Sequence, residues 1–97
     1  MPVELDLNTT LFQQGMFALE KPEVVALMKT LRKISQLEWN QLYRDAGLNW
    51  EAIESRIGDD GERLFTVRVT QKCRATVQRR GSRIVFLELH PDHDSAY

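Results

Sequence analysis

Apolar and polar residues follow two different periods along this chain, and the changes between them divide it into three regions. At the start, Val3, Leu5 and Leu7 are separated by single acidic residues, and this alternation predicts a half-buried strand. Between residues 9 and 57 the apolar positions recur at helical spacing. From residue 65 the alternation returns as far as residue 78, and a nearly continuous apolar run then ends at residue 89. We therefore expect a short strand, then helices, then a sheet.

Two helices are predicted in the first part of the helical region. Residues 9–19 favour a short helix, although Gly15 lies inside it. Residues 21–34 favour a longer helix, with Pro22 in a first-turn position that suits proline. Four apolar residues of this longer helix share one side of it, and we expect that stripe to face the core. They are Val24, Leu27, Met28 and Leu31.

A third helix and one or two further helical turns are predicted before the sheet. Ser35 and Glu38 have the S-x-x-E spacing of a capping box, which predicts that a new helix begins at this point. Residues 39–46 keep the helical spacing of apolar residues, and Gly47 suits the end of a helix. Residues 49–57 place a tryptophan and two isoleucines on one helical face, which predicts the further turns.

The last third of the chain predicts three strands joined by short turns. Residues 65–70 and 73–78 alternate strictly, and RIVFLEL at residues 83–89 is almost continuously apolar, as in an interior strand. The amphipathic helices need an apolar surface to cover, and this sheet provides it. We predict one α+β domain over residues 1–97. Its helices pack on one face of an antiparallel meander sheet, and the N-terminal strand joins that sheet.

Length and composition are those of a small soluble protein. Ninety-seven residues suffice for one domain with a single modest core. No apolar run approaches the roughly 20 residues that span a bilayer, and the N-terminal segment lacks the basic region of a signal peptide. The lone Cys73 cannot form an internal disulfide and suits a reducing compartment. We expect a cytoplasmic protein without a membrane association.

The net charge of −1 conceals a strong separation of charge along the chain. Residues 1–62 hold six basic and eleven acidic residues, whereas residues 63–83 hold seven basic residues and no acid. Such segregation indicates a surface that faces a polyanion on an otherwise acidic body, although a solvated sheet face would show the same pattern. The seven basic residues are Arg63, Arg68, Lys72, Arg74, Arg79, Arg80 and Arg83.

Two of these arginines are predicted to lie side by side. Arg68 and Arg74 occupy polar positions of adjacent antiparallel strands, on the face opposite the apolar alternates. Like charges directly opposite each other destabilise a sheet by up to about 1 kcal/mol. Folding gains nothing from this pair, whereas an anionic ligand would bind to it.

The C-terminal stretch HPDHDSAY holds both histidines of the chain and ends in a tyrosine. Histidine is the side chain whose ordinary pKa, near about 6.5, allows it to act as acid or base at neutral pH. Two readings are open. His90 and His93, with the neighbouring aspartates, could hold a metal, but Pro91 disfavours the helical H-x-x-H arrangement and zinc needs three or four ligands. Proton transfer beside the arginine face is the alternative, and it is the one that the family resemblance described next implies.

These C-terminal residues resemble the RelE/ParE superfamily of bacterial toxins from type II toxin–antitoxin systems. The resemblance covers residues 63–97, through the successive pieces LFTVRV, CRATV, RIVFLEL and HPDHDSAY. Over residues 1–62 it consists of the order of helices and strands alone. It implies a RelE-like fold and a cognate antitoxin as partner.

The ribonuclease members of that family cut messenger RNA in the ribosomal A site, so the resemblance implies an mRNA endoribonuclease that inhibits translation and needs no metal or other cofactor. In such enzymes the 2′-hydroxyl attacks the adjacent phosphorus, which requires a base, a cationic brace and an acid. The residues that match the family's catalytic positions are Arg68, Arg74, His90, His93 and Tyr97, and within the tail we expect His93 and Tyr97 to contribute more than His90. The further basic residues expected to bind RNA are Arg63, Lys72, Arg79, Arg80 and Arg83.

Three other functions remain open at this point. ParE-like relatives inhibit DNA gyrase and do not depend on the same catalytic groups. A superfamily member without catalysis would act as a protein-binding module. An unrelated small α+β interaction domain would have no neighbouring antitoxin gene.

Overall fold

The computed structural model describes residues 2–58 and 61–91, and it forms a five-stranded mixed sheet with three helices packed against it. The strand order is β1-β5-β4-β3-β2, in which β1 pairs parallel to β5 and all other pairs are antiparallel. The predicted α+β class, the meander and the joining N-terminal strand are therefore confirmed. The elements are β1 Glu4–Asp6, α1 Thr10–Phe17, α2 Lys21–Ser35, α3 Trp39–Arg44, β2 Glu51–Ile57, β3 Arg63–Thr70, β4 Cys73–Arg80 and β5 Arg83–Pro91.

The helices cover one face of the sheet, and α1 packs closely against β5. Phe12 of α1 is fully buried against Phe86 of β5, with ring centroids 5.2 Å apart. Gly15 lies on the same side of the helix, where a Cβ atom would stand 3.2 Å from the Cβ of Leu89. The glycine inside the predicted helix is thus explained by packing, since a side chain at this position would press on Leu89. One face of the sheet is closed in this way and the other remains open.

The prediction of helical turns at residues 49–57 was wrong, because this segment forms the edge strand β2. Asn49, with φ of 49°, turns the chain in the left-handed region just before the strand. Glu51 then pairs with Thr66 and Ala52 with Phe65 of β3. Three apolar residues spaced three and four apart fit a helix, and they also fit a twisted edge strand with an irregular register. The spacing therefore does not distinguish the two. Pairing with β3 decides the outcome, and the meander has four strands instead of three.

The predicted capping box was also misplaced. Ser35 is the last residue of α2, and its hydroxyl donates to the carbonyl of Arg32 at 2.6 Å. The residue that caps α3 is Glu38, whose backbone N–H donates to the Gln41 side chain at 2.8 Å in a reciprocal capping box. A carboxylate and an amide therefore perform the role that the sequence pattern assigned to a hydroxyl and a carboxylate.

The apolar stripe of α2 is only partly in the core. Leu27 and Leu31 are buried, but Val24 is 39% exposed and Met28 is 59% exposed. The prediction that all four face the core was wrong, because the narrow sheet surface covers one side of the stripe and leaves the other beside α1. The consequence is an apolar groove on the surface, described below.

Cys73 should react with iodoacetamide only when the protein unfolds, and the free energy of unfolding should fall at alkaline pH. The residue is 1% exposed at the start of β4, and burial raises the pKa of its thiol to about 11, with a further contribution from the charge of Glu23. An unfolded thiol has a pKa near about 8.5. Because the folded pKa is the higher one, this stabilising contribution is complete below about pH 8.5 and is lost as the pH rises toward the folded value.

Denaturant midpoints of the wild type and of Cys73→Ala, measured from pH 7 to pH 10.5, isolate this contribution. The decline should be steeper in the wild type than in the variant. Rapid labelling of Cys73 in the folded protein at pH 7 would contradict the burial described here.

Candidate functional site

Three of the predicted catalytic residues lie in one row across the open face of the sheet. Arg68 of β3 is the direct register partner of Arg74 of β4, and Arg74 is the register partner of His90 of β5. Side chains that are directly opposite on neighbouring strands have their Cβ atoms about 4.5–5.5 Å apart. The alternation of the sequence predicted the first pair, and the register of β4 with β5 adds the histidine. We call these three residues the cross-strand row.

Arg74 lies at the centre of the row and is held by neutral acceptors. Its Nη2 donates to the hydroxyl of Thr66 at 2.7 Å and to the carbonyl of Asn49 at 3.1 Å. The carboxylate of Glu51 stands 4.0 Å away and is largely exposed. Because the acceptors within hydrogen-bond distance carry no charge, they fix the orientation of the planar guanidinium without neutralising its positive charge. Such a planar fork is suited to bind a phosphate group.

The loop that holds Arg74 is itself fixed by an ion pair. Asp45 accepts from the ammonium group of Lys33 at 2.9 Å and from the backbone N–H of Leu48 at 3.0 Å. The hydrogen bond from Lys33 is the main reason why the pKa of Asp45 is lowered. The carbonyl of Leu48 accepts the backbone N–H of Arg68 at 2.7 Å, and the next residue presents its own carbonyl to Arg74. The loop therefore contacts both arginines of the row.

Arg68 is exposed beside Arg74, and the two cations are directly opposed. This arrangement costs stability, by up to about 1 kcal/mol. A phosphate placed between the two guanidinium groups would remove the repulsion and bind both. The row thus carries a net attraction for anions that the fold itself does not use.

His90 sits at the β5 end of the row, with its ring fixed by a hydroxyl. Its Nε2 is 2.7 Å from the Oγ1 of Thr76 and 3.6 Å from a carboxylate oxygen of Glu88. The side chain is 42% exposed, so a ligand on the open face can reach the ring. Thr76 is the register partner of Glu88 and lies two residues along β4 from Arg74. An oriented, accessible imidazole beside two cations can transfer protons to or from a bound phosphodiester.

Two of the basic residues expected to bind RNA lie at opposite ends of β3. Arg63, at its start, forms an exposed ion pair with Glu54 at 3.4 Å. Lys72 lies in the turn after its end, is exposed, and borders a small pocket beside Glu23 of α2. Exposed ion pairs are weak, at about 0–1 kcal/mol, so Arg63 can exchange its partner for a phosphate.

Two further basic residues lie at the other end of the open face, around the β4–β5 turn. Arg80 turns back along its strand, and its Nη2 donates to the Oε1 of Gln78 at 3.3 Å. Arg83 lies 3.9 Å from the carboxylate of Asp6 on β1. Both remain compatible with the predicted RNA contact.

Arg79 has a different place, on the helix side of the sheet. Its guanidinium lies 4.2 Å from the ring centroid of Trp39, donates from Nη1 to the hydroxyl of Tyr43 at 2.7 Å and donates from Nε to the carbonyl of Gly81 at 2.8 Å. Alternation along β4 explains this, since residue 79 shares a face with residues 73, 75 and 77. Its contacts fasten α3 to the sheet, and we leave it out of the RNA-contacting set.

Two of the catalytic residues expected from the sequence, His93 and Tyr97, lie outside the described residues. The alternative metal site at the tail, with Asp92 and Asp94, lies there as well. Within residues 2–58 and 61–91, no three His, Cys, Asp or Glu side chains are grouped so that they could hold a metal ion. The described part of the site is therefore the cross-strand row with Thr76.

A cleft of about 340 Å³ continues the row along the open face, and the sequence did not predict it. Its floor is formed by β4 and β5, where a bulge opposite Thr76 inserts Leu87 as an extra residue. Gln78 is 2% exposed within it, a buried polar residue on a face that alternation alone assigns to solvent. We call this the open-face cleft. It is lined by Thr9, Leu11, Ile57, Gly58, Leu64, Thr76, Gln78, Arg80, Leu87 and Glu88.

A second cavity, of about 730 Å³, lies among β1, α1 and α2. It is almost entirely apolar, and Lys29 and Arg32 stand at its edge. We call it the helical groove. A signal for it was present in the sequence, since α2 carries apolar residues over more than the one stripe that a core contact needs. Its apolar lining consists of Leu5, Leu7, Met16, Val24, Val25, Met28 and Leu31.

Comparison with known proteins identifies the fold and nothing finer. No family model matches the chain, and no curated protein matches it in sequence. A solved structure of a copper-bound mutant toxin from Helicobacter pylori has the same fold, with a TM-score of 0.52 over 98% of this chain and 99% of that one at 15% identity. The chain thus has the fold of a small bacterial toxin. No helix in the described ranges is long and apolar enough to cross a membrane.

Proposed function

We propose that this protein is the toxin of a type II toxin–antitoxin system and that it cleaves messenger RNA. The observation that carries the proposal is the cross-strand row, in which Arg68, Arg74 and His90 are register neighbours on the open face. The shared fold with a bacterial toxin supports it. The acidic composition of residues 1–62 gives the rest of the molecule no general affinity for RNA, so binding depends on this face.

The chemistry that fits the row is attack by a 2′-hydroxyl on the adjacent phosphorus. A base removes the hydroxyl proton, the new O2′–P bond forms, the P–O5′ bond breaks and an acid protonates the leaving 5′-oxygen. The products are a 2′,3′-cyclic phosphate and a free 5′-hydroxyl. Arg74 and Arg68 stabilise the charge that grows on the phosphoryl oxygens. His90 performs one of the two proton transfers, and for the other we retain His93 and Tyr97.

The test uses purified protein and one defined messenger, both free in solution and engaged in translating ribosomes. Cleavage with a cyclic phosphate on the upstream fragment is the expected result, and cutting only on the ribosome would add ribosome dependence. If the messenger stays intact in both settings while DNA gyrase is inhibited, the ParE-like alternative is correct. If neither target is affected, the chain is a binding module.

The antitoxin partner that we propose docks on the helical groove. The groove exposes Val25 at 55% and Met28 at 59%, an unusual amount of apolar surface on one helix. Lys29 and Arg32 at its edge favour a partner with acidic residues beside its apolar ones. An amphipathic helix with acidic flanks meets both requirements. The basic open face is a separate surface on the other side of the sheet.

Met28→Asp should abolish tight co-purification with the protein encoded beside this gene. The substitution places a charge where an apolar partner side chain would pack, and loss of a central contact of this kind costs 2 kcal/mol or more, about 30-fold in the dissociation constant. Phe17→Asp is the matched control, because it adds the same charge at a 79% exposed apolar residue that lines neither the groove nor the open-face cleft. Equal partner affinities for the two variants would move the docking site elsewhere.

A further inference from the structure

The open-face cleft begins where the cross-strand row ends. Thr76 belongs to both, since it contacts His90 and lines the cleft. Thr76 and Glu88 form the register pair next to Arg74 and His90 on the same face. Residues two apart on a strand are about 6.5 Å apart. A nucleotide next to the phosphate held by Arg74 would therefore place its base over the cleft.

The cleft has the composition of a base-binding site. Leu87 and the 52% exposed Leu11 give it apolar surface on which a flat ring can stack, and Glu88 and Arg80 give it one strong acceptor and one strong donor. Glu88 pairs with Thr76, and Gln78 lies two residues further along β4. Because the side chain of Arg80 bends back to Gln78, its guanidinium is near enough to Glu88 for both groups to contact one base. Gln78, 2% exposed, positions Arg80 through this hydrogen bond.

We propose that the open-face cleft is a guanine subsite for a nucleotide adjacent to the cleaved phosphate. Guanine presents donors, N1–H and the 2-amino group, to the carboxylate of Glu88, and it presents the acceptor O6 to Arg80. Adenine presents an amino group where Arg80 requires an acceptor, and the pyrimidines offer less surface for stacking. The inference rests on the nuclease function proposed above, and it adds the base that selects the cleavage site.

The experiment measures the binding of short oligonucleotides that carry a 2′-deoxy nucleotide at the cleavage position, so that no nucleophile is present. Guanosine, inosine or adenosine is placed on either side of that position. Wild-type protein should bind the guanosine form about 10-fold more tightly than the inosine form, which lacks the 2-amino group, and about 100-fold more tightly than the adenosine form.

Two variants separate the contacts. Glu88→Gln should bring guanosine affinity down to the inosine level. Arg80→Gln should weaken guanosine and inosine equally, about 10-fold, because both bases retain O6. Glu54→Gln removes the same charge from an exposed residue outside the cleft and should leave the guanosine-to-inosine ratio unchanged.

Equal binding of all three bases by the wild type would overturn the subsite, as would a guanosine preference that persists in Glu88→Gln. The all-ribose guanosine oligonucleotide is tested for cleavage in parallel. Guanosine-selective binding without cleavage would contradict the proposed nuclease function and support the guanine subsite. Cleavage without base preference would support the nuclease function and contradict the subsite.

Discussion

Arg74→Ala should lower the rate of RNA cleavage by about 10²- to 10³-fold while the protein remains folded. The expected loss is that of one preorganised donor to a developing oxyanion. Arg74 is suited to that role because Thr66 and Asn49 hold its guanidinium with neutral oxygens and leave its charge available. Cleavage rate at saturating RNA and thermal unfolding are the two measurements.

The free energy of unfolding of this variant should fall by about 1 kcal/mol. Removing Arg74 breaks two hydrogen bonds in a partly exposed setting, at a cost of about 1 kcal/mol each, and it also removes the repulsion from Arg68. Arg74→Lys keeps the charge but not the fork, and it should recover only a small part of the rate. Arg63→Ala is the matched control, since it removes an exposed arginine far from the row and should affect binding alone. An Arg74→Ala protein that is unfolded, or as active as wild type, would identify a structural arginine.

His90→Ala should lower the cleavage rate by about 10²-fold or more with RNA affinity near that of wild type. A general acid or base contributes about this much, and the arginines supply the binding. His90 is the register partner of Arg74, and its ring is held by Thr76 at 2.7 Å, so the imidazole is already fixed beside Arg74 before RNA binds. One limb of the pH–rate profile should disappear in the variant, which a purely structural histidine would not cause.

The comparison with His93→Ala and Tyr97→Phe assigns the second proton-transfer group. The sequence favoured those two residues over His90, and the position of His90 in the row now supports it as an equal participant. Rates and affinities are measured separately for all three variants. Full activity of His90→Ala, with losses in the other two, would place both proton transfers in the tail. Wild-type rates in all three would show that the row binds RNA without cleaving it.

The faces of β3 and β4 were predictable because alternation has a period of two and leaves no other choice. Val67 and Val77 had to face the core, and Arg68 and Arg74 then had to share the opposite face. The same rule places Arg79 on the helix side of the sheet, where its guanidinium contacts Trp39 and Tyr43. In α2, periodicity identified the helix but not the width of the surface that would cover it, so Val24 and Met28 were assigned to the core.

The identity of β2 could not be read from its residues. Trp50, Ile53 and Ile57 satisfy a helical spacing, and the segment became a strand only because β3 offered an unpaired edge. The capping of α3 by Glu38 instead of Ser35 is a similar case, since helix ends depend on where the packed helices stop.

By itself, the sequence determined the α+β class, the order of most elements, the open basic face and the arginine pair, because each follows from local periodicity or from charge counted along the chain. Tertiary structure alone decided that His90 stands opposite Arg74, that a bulge at Leu87 opens a cleft beside them, and that α1 and α2 leave an apolar groove. These features depend on the register between strands distant in sequence and on the gaps between packed elements. No periodicity within one segment encodes them.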